Sequence, residues 1–139
     1  MDVFSKRKRS EVMAQIRGRG NKATERKMAA LLRAYHIAGW KLHPPDIFGR
    51  PDIYFPELRI AIFLDGCFWH ACRKCFKMPS QNRPFWKEKI HRNVLRDRRV
   101  NRALKVEGIR VFRLWEHDLE RNTSRVKGVL EILRTEIGR

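Results

Sequence analysis

The sequence has 139 residues, 42% of them hydrophobic, with 32 Lys and Arg against 15 Asp and Glu, a formal net charge of +17. That length fits one domain around one core. The longest apolar run, Ile60-Ala61-Ile62-Phe63-Leu64, is a strand's length and excludes a membrane-spanning helix. The basic N-terminus has no apolar stretch behind it, which excludes a secretory signal.

Residues 1–20 read as a basic N-terminal arm and residues 21–139 as the core of the single domain 1–139. In the arm, Ser10–Ile16 favours a short helix that Gly18 and Gly20 break. Residues 23–36 are predicted as an amphipathic helix, with Thr24 as N-cap and Gly39 as its stop. Met28, Leu31, Leu32 and Tyr35 fall at helical spacing there. Asp52–Phe55 and Arg59–Leu64 read as strands joined by a turn at Pro56-Glu57, a hairpin. Residues 66–84 are irregular. Residues 85–107 form a long basic helix stopped by Gly108. Ile109–Trp115 alternates apolar and polar as a half-buried strand does. Ser124 caps a last helix carrying Val126, Val129, Leu130 and Leu133. This order predicts an α/β layer structure, a mixed sheet flanked by helices.

The charge is unevenly spread. Residues 1–41 carry a net +8 and residues 73–102 a net +9, while residues 42–72 net −2 and residues 103–139 net +2. Clustered charge of one sign points to a polyanion, because each neutralised phosphate releases counterions. The alternative is a merely soluble, highly charged surface.

Three cysteines, Cys67, Cys72 and Cys75, lie close together. An odd, clustered set argues for a metal site in a reducing compartment over a disulfide framework. Cys72 and Cys75 have the C-x-x-C spacing of a zinc knuckle, and zinc takes four soft or borderline ligands. His117, just past the strand ending at Trp115, is the candidate fourth ligand, with His70 and His91 as rivals. Three ordinary thiols or a redox pair are the other readings.

Asp52 opens the first hairpin strand and Asp65 closes the second. Two carboxylates meeting at the open end of a hairpin suit Mg²⁺, which could hold a scissile phosphate and generate a hydroxide nucleophile. His70, near Asp65, could relay a proton at neutral pH. Any two loop aspartates would satisfy the same pattern.

Phe68 and Trp69 form an apolar pair in a polar loop, a wedge that can enter a base stack. Trp86, Lys89, Asn93 and Asp97 share one face of the long helix. Asn and Lys can hydrogen-bond base edges, and Arg92, Arg96, Arg98 and Arg99 can hold phosphates. The alternative makes Trp86 a core residue and the rest charged surface.

Gly66-Cys67-Phe68-Trp69-His70, Cys72, Cys75, Pro79, Asn82, Phe85-Trp86, Lys89, Asn93, Arg96-Asp97 and Trp115-Glu116-His117 resemble the very-short-patch repair (Vsr) mismatch endonucleases. Arg9-Ser10, Met13, Ile16 and Thr24-Glu25 fit as well, so the resemblance spans residues 5 to 135. It implies a restriction-endonuclease-like core with a structural zinc. It also implies Mg²⁺-dependent hydrolysis of the phosphodiester 5′ of the thymine in a T:G mismatch, which starts short-patch repair of deaminated 5-methylcytosine. By position it makes Asp52 the metal-binding aspartate, His70 the histidine that assists the attacking water, and Asp97 a supporting acid. Phe68, Trp69 and Trp86 become the aromatic wedge from the major groove, and Met13 part of an arm in the minor groove. Lys89 and Asn93 lie near the mismatched bases, and Cys67, Cys72, Cys75 and His117 fit the zinc ligands. The setting implied is a bacterial cytoplasm, and the partner is duplex DNA, bound by a monomer.

Two positions depart from the family's best-known member: Asp65 replaces a histidine and His117 a cysteine. Asp65 is then an extra metal ligand or a replacement in proton transfer. Cys67 stands where the wider nuclease superfamily has the lysine of its D-x-K motif. Two other functions share many of these residues: a nicking or restriction-type endonuclease without a mismatch requirement, and a non-catalytic zinc DNA-binding module.

Overall fold

The computed structural model describes residues 22–67, 72 and 76–138. The basic arm with Met13, and Phe68, Trp69, His70 and Cys75, lie outside the described residues. Four strands, β1 (Lys41–Leu42), β2 (Ile53–Phe55), β3 (Ile60–Asp65) and β4 (Arg110–Trp115), form one sheet in the order β1-β2-β3-β4. The pairs β1–β2 and β2–β3 are antiparallel, and β4 runs parallel to β3. Among the described residues four helices flank it: α1 (residues 22–34), α2 (Arg83–Val106), α3 (Glu116–Arg121) and α4 (Ser124–Ile137). A parallel pair needs a long crossover, and α2 provides it.

Side-chain alternation on β3 sorts the core into two layers. Ile60, Ile62 and Leu64 pack with Met28 and Leu32 of α1, Leu119 of α3, and Val126, Val129, Leu130 and Leu133 of α4. Ala61 and Phe63 face the other way, onto Val100 and Leu104 of α2 and onto Ile109. Every residue of β3 is buried, as expected of a strand covered on both faces. By the same alternation Asp65 points to the α2 side.

Three helices end in one way. A residue in the left-handed region turns the chain, and in two of them the next residue drops into the core. After α1, His36 (φ 57°) donates to Arg33 O, and Ile37 donates to Leu32 O and is buried. After α2, Gly108 (φ 81°) donates to Lys105 O, and Ile109 donates to Leu104 O. Asn122 (φ 49°) follows α3, where Thr123 donates to Asp118 O. The first two are Schellman motifs, whose extra hydrogen bonds satisfy helix-end carbonyls and whose apolar contact anchors the end.

Several sequence expectations shift. Thr24 lies inside α1 and is buried, so it is not the cap, and His36 stops that helix before Gly39. Thr123 occupies the cap position of α4, with Ser124 its first helical residue. Strand β1 and helix α3 have no counterpart in the expected elements.

Candidate active site and thiol cluster

Asp52 sits one residue before β2, where the ladder to β3 ends. Its N–H donates to Ile62 O at 3.1 Å, and its Oδ2 accepts from Leu64 N at 2.7 Å. The carboxylate thus takes the place of the next strand residue and fixes itself against β3. Its own carbonyl accepts from His43 N at 3.0 Å. His43 follows β1 directly, in the left-handed region (φ 46°), and its Nε2 lies 2.9 Å from Oε1 of Glu25 on α1. One ligand atom from each of Glu25, His43 and Asp52 falls within 4.8 Å of the others. Burial raises the pKa of Asp52 from 3.8 to about 6. The Leu64 N–H and the neighbouring His43 oppose the rise, and the Glu25 and Asp65 charges add to it.

A cleft of about 420 Å³ opens beside Asp52, between the end of the hairpin and α2, with Asp65, Arg96, Asp97 and Arg113 in its lining. Gly49 forms part of the wall, and its φ of 82° and close approach to Val100 leave no room for a side chain. A larger cavity of about 780 Å³ beside β4 is lined by Lys105, Arg110 and Arg125, with no carboxylate among the described residues of its lining.

Asp65 is 4% exposed. Both of its oxygens accept from Arg113 Nη1, at 3.0 and 3.1 Å. The same nitrogen lies 3.5 Å from Asp97 Oδ1 on α2. Arg113 Nε donates to Asn101 Oδ1 at 2.8 Å, and its guanidinium sits 4.2 Å from the centre of the Phe63 ring. The register explains the stacking, because Arg113 is the β4 partner of Phe63. Asp65 is not among the converging Glu25, His43 and Asp52 donors.

A second cluster lies just beyond the ends of β3 and β4. His117 Nδ1 is 3.4 Å from Cys67 Sγ and 3.5 Å from Cys72 Sγ, and all three residues are buried. Cys72 N donates to Cys67 O at 3.0 Å. The other imidazole nitrogen, Nε2, is 3.4 Å from Asp118 Oδ1. Two thiols and an imidazole nitrogen converging away from water form a donor set that fits zinc, and a carboxylate behind the imidazole orients such a ligand. His91 is exposed on α2 and apart from this group.

On α2, Lys89, Asn93 and Asp97 are half-buried. Trp86 is 1% exposed and packs edge-on against Phe85, with ring centres 5.0 Å apart. It therefore presents no open face to a base in this conformation. Sequence reasoning brought Asp52, Asp65 and Asp97 to the cleft but overlooked His43 and Arg113, and took Glu25 only as a matching position. Among the described residues no helix is long and apolar enough to cross a membrane.

A family model described as DNA mismatch endonuclease Vsr matches residues 1–77. Type II nicking enzyme V.XorIIP of Xanthomonas oryzae pv. oryzae is 36% identical over 137 residues, covering 94% of this chain and 97% of that enzyme. DNA mismatch endonuclease Vsr of Escherichia coli is 41% identical over 117 residues, covering 83% of this chain and 73% of that enzyme. Type II nicking enzyme V.NaeI of Lentzea aerocolonigenes is 48% identical over 69 residues, and the match spans only 42% of that enzyme. A mixed sheet flanked by helices, an acid-lined cleft at its edge and these similarities agree: the chain belongs to the Vsr DNA mismatch endonuclease family and is a DNA-cleaving hydrolase.

Proposed function

We propose that the chain cuts one strand of duplex DNA on the 5′ side of the thymine in a T:G mismatch, in a Mg²⁺-dependent hydrolysis that starts short-patch repair of deaminated 5-methylcytosine. The placement of Asp52 carries this reading. Its carboxylate is anchored by Leu64 N–H, meets Glu25 and His43, and lines a cleft whose far wall is the basic helix α2. Magnesium held by Asp52 with Glu25 would supply Lewis acidity at the scissile phosphate and lower the pKa of the attacking water.

The remaining roles belong to the chain. His70 accepts the proton of the attacking water. Asp97 supports the cleft, and the pairing of Asp65 with Arg113 makes Asp65 an ion-pair partner in place of the second magnesium ligand. Arg92, Arg96, Arg98 and Arg99 neutralise phosphates. Lys89 and Asn93 lie at the mismatched bases, and Phe68 and Trp69 form the wedge. Met13 belongs to an arm in the minor groove. Cys67, Cys72, Cys75 and His117 would hold zinc, which would staple the loop after β3 to the end of β4. The protein works as a monomer in a bacterial cytoplasm.

A nicking enzyme without a mismatch requirement is the second reading, favoured by the names of V.XorIIP and V.NaeI. End-labelled duplexes differing only in T:G against T:A, with Mg²⁺ or EDTA, separate the two. A Mg²⁺-dependent nick beside the T of T:G alone is the expected result, and equal nicking of both duplexes selects the second reading. Asp52→Ala abolishes cleavage and leaves DNA binding; retained cleavage overturns the assigned site, and binding without any cleavage by the wild type leaves a zinc DNA-binding module.

A further inference from the structure

The donors around Asp52 are not all oxygens. Glu25 and Asp52 contribute carboxylates, but the third converging group is the imidazole of His43, and Nε2 is the atom turned toward Glu25. Three parts of the chain set this up independently. Helix α1 carries Glu25, the β1–β2 pairing brings His43 beside Asp52, and the Leu64 N–H holds the Asp52 carboxylate. Two ligands of one ion with bonds of about 2.1 Å stand at most about 4.2 Å apart, so three donors within 4.8 Å of one another need draw together by no more than about 0.6 Å to share it. Side-chain exposure of 54% at His43 and 23% at Glu25 leaves the group open to entry and to further water ligands.

Donor chemistry decides which ion such a group prefers. Magnesium is hard, favours oxygen in a strict octahedron, and gains little from imidazole. First-row transition ions gain from a nitrogen ligand, in the order of their intrinsic affinities. We propose that His43 joins Glu25 and Asp52 as a direct ligand in a mixed nitrogen–oxygen site, so that this chain binds Mn²⁺ in preference to Mg²⁺. The inference rests on the reading of the Asp52 cleft as the metal site. An ion pair between His43 and Glu25 alone would bring no selectivity among cations.

The test uses the full chain, zinc-loaded, with Mn²⁺ as probe, because manganese has little affinity for thiolates. Binding is read from the loss of the free-ion electron paramagnetic resonance signal, with Mg²⁺ as competitor, and the first coordination sphere from ¹⁴N modulation of the bound-ion spin echo. Wild type is expected to show directly bound ¹⁴N. His43→Gln should lose it and weaken Mn²⁺ binding about tenfold, while Mg²⁺ binding changes less than about threefold. Persistence of the ¹⁴N signal in His43→Gln, or an equal change for both ions, overturns the role of His43. Asp52→Asn checks the underlying reading separately. Mn²⁺ binding that survives in Asp52→Asn removes the Asp52 site itself, and so does a wild type that binds no Mn²⁺. Because His43 is exposed, His43→Gln should melt at the wild-type temperature.

Discussion

Arg113 Nη1 bridges two carboxylates from different layers of the fold, Asp65 at the end of β3 and Asp97 on α2. The side chains of all three residues are at least four-fifths buried, at 18%, 6% and 18% exposure. Removing one member of such a group leaves a buried charge without compensation, which costs about 3–5 kcal/mol. Arg113→Met should therefore lower stability in urea titrations by about that amount. Asp65→Asn/Arg113→Met should cost clearly less than the sum of the two single changes. Strict additivity would show that the pair is not coupled.

The protonation of Asp52 sets a pH dependence of opposite sign to that of most carboxylates. Its folded pKa of about 6 lies above the ordinary carboxylate value of 3.8. Between those limits the folded state keeps a proton that the unfolded state has released. Its contribution to stability is therefore full below about pH 4 and is lost as pH rises through about 6. In buffer without divalent ions, Asp52→Asn should match wild type near pH 4. It should exceed it near pH 7 by about 1–2 kcal/mol, a value reduced for partial solvent exposure. Thermal melts across that range check the sign; a wild type that gains stability relative to Asp52→Asn as pH rises would contradict it.

The thiol cluster makes a separate prediction. Cys72→Ser should lose zinc and fold less stably, because structural zinc contributes directly to folding. Asp118 accepts from Trp115 N at 2.9 Å and from Thr123 Oγ1 at 2.9 Å, and also lies behind His117. Asp118→Ala should weaken zinc binding about 10–100-fold, measured by competition with a chromophoric chelator. Asp118→Asn, which keeps an acceptor for the helix end, separates the ligand effect from the cap. Unchanged zinc affinity in both variants would assign Asp118 to the helix alone.

Gly49 tests the wall of the cleft. A Cβ there would stand 2.4 Å from Val100 Cγ1, on a backbone with φ of 82°. Gly39 has a similar φ of 88°, but a Cβ there meets nothing within 4 Å. Gly49→Ala should cost more than Gly39→Ala, by about 1–3 kcal/mol of overpacking. Val100→Ala should recover part of that difference in the double variant, as chemical denaturation would read out.

The long elements were legible in the sequence because their patterns are long. An unbroken apolar run of strand length marked β3, alternation marked β4, and helical spacing marked α1 and α4. Strand β1 has two residues, both exposed, too few to show alternation. Helix α3 has six and begins directly where β4 ends, so the strand pattern runs into it without punctuation. Arg113 occupies an outward position by alternation on β4, and only the packing of α2 over that face buries it. Asp65 could be placed at a strand end, but its partner lies 48 residues away. Glu25, His43 and Asp52 are distant in the chain and are joined by α1 packing and β1–β2 pairing, for which no local spacing exists. The clustering of Cys67 and Cys72 is a local signal, whereas His117, 45 residues beyond Cys72, stood out by its place just past the strand ending at Trp115.

Cys67 and His117 leave neighbouring parallel strands at the same end of the sheet, 50 residues apart in the chain. A metal shared by them closes that stretch into a ring with α2 inside it. By the chain-entropy estimate, closing a loop of that size removes about 4 kcal/mol of freedom from the unfolded ensemble. The helix that carries much of the positive charge is then tethered at both ends, so it cannot peel from the sheet without straining the ring. With zinc bound, a duplex held along that helix would load the whole sheet through both ends of the ring.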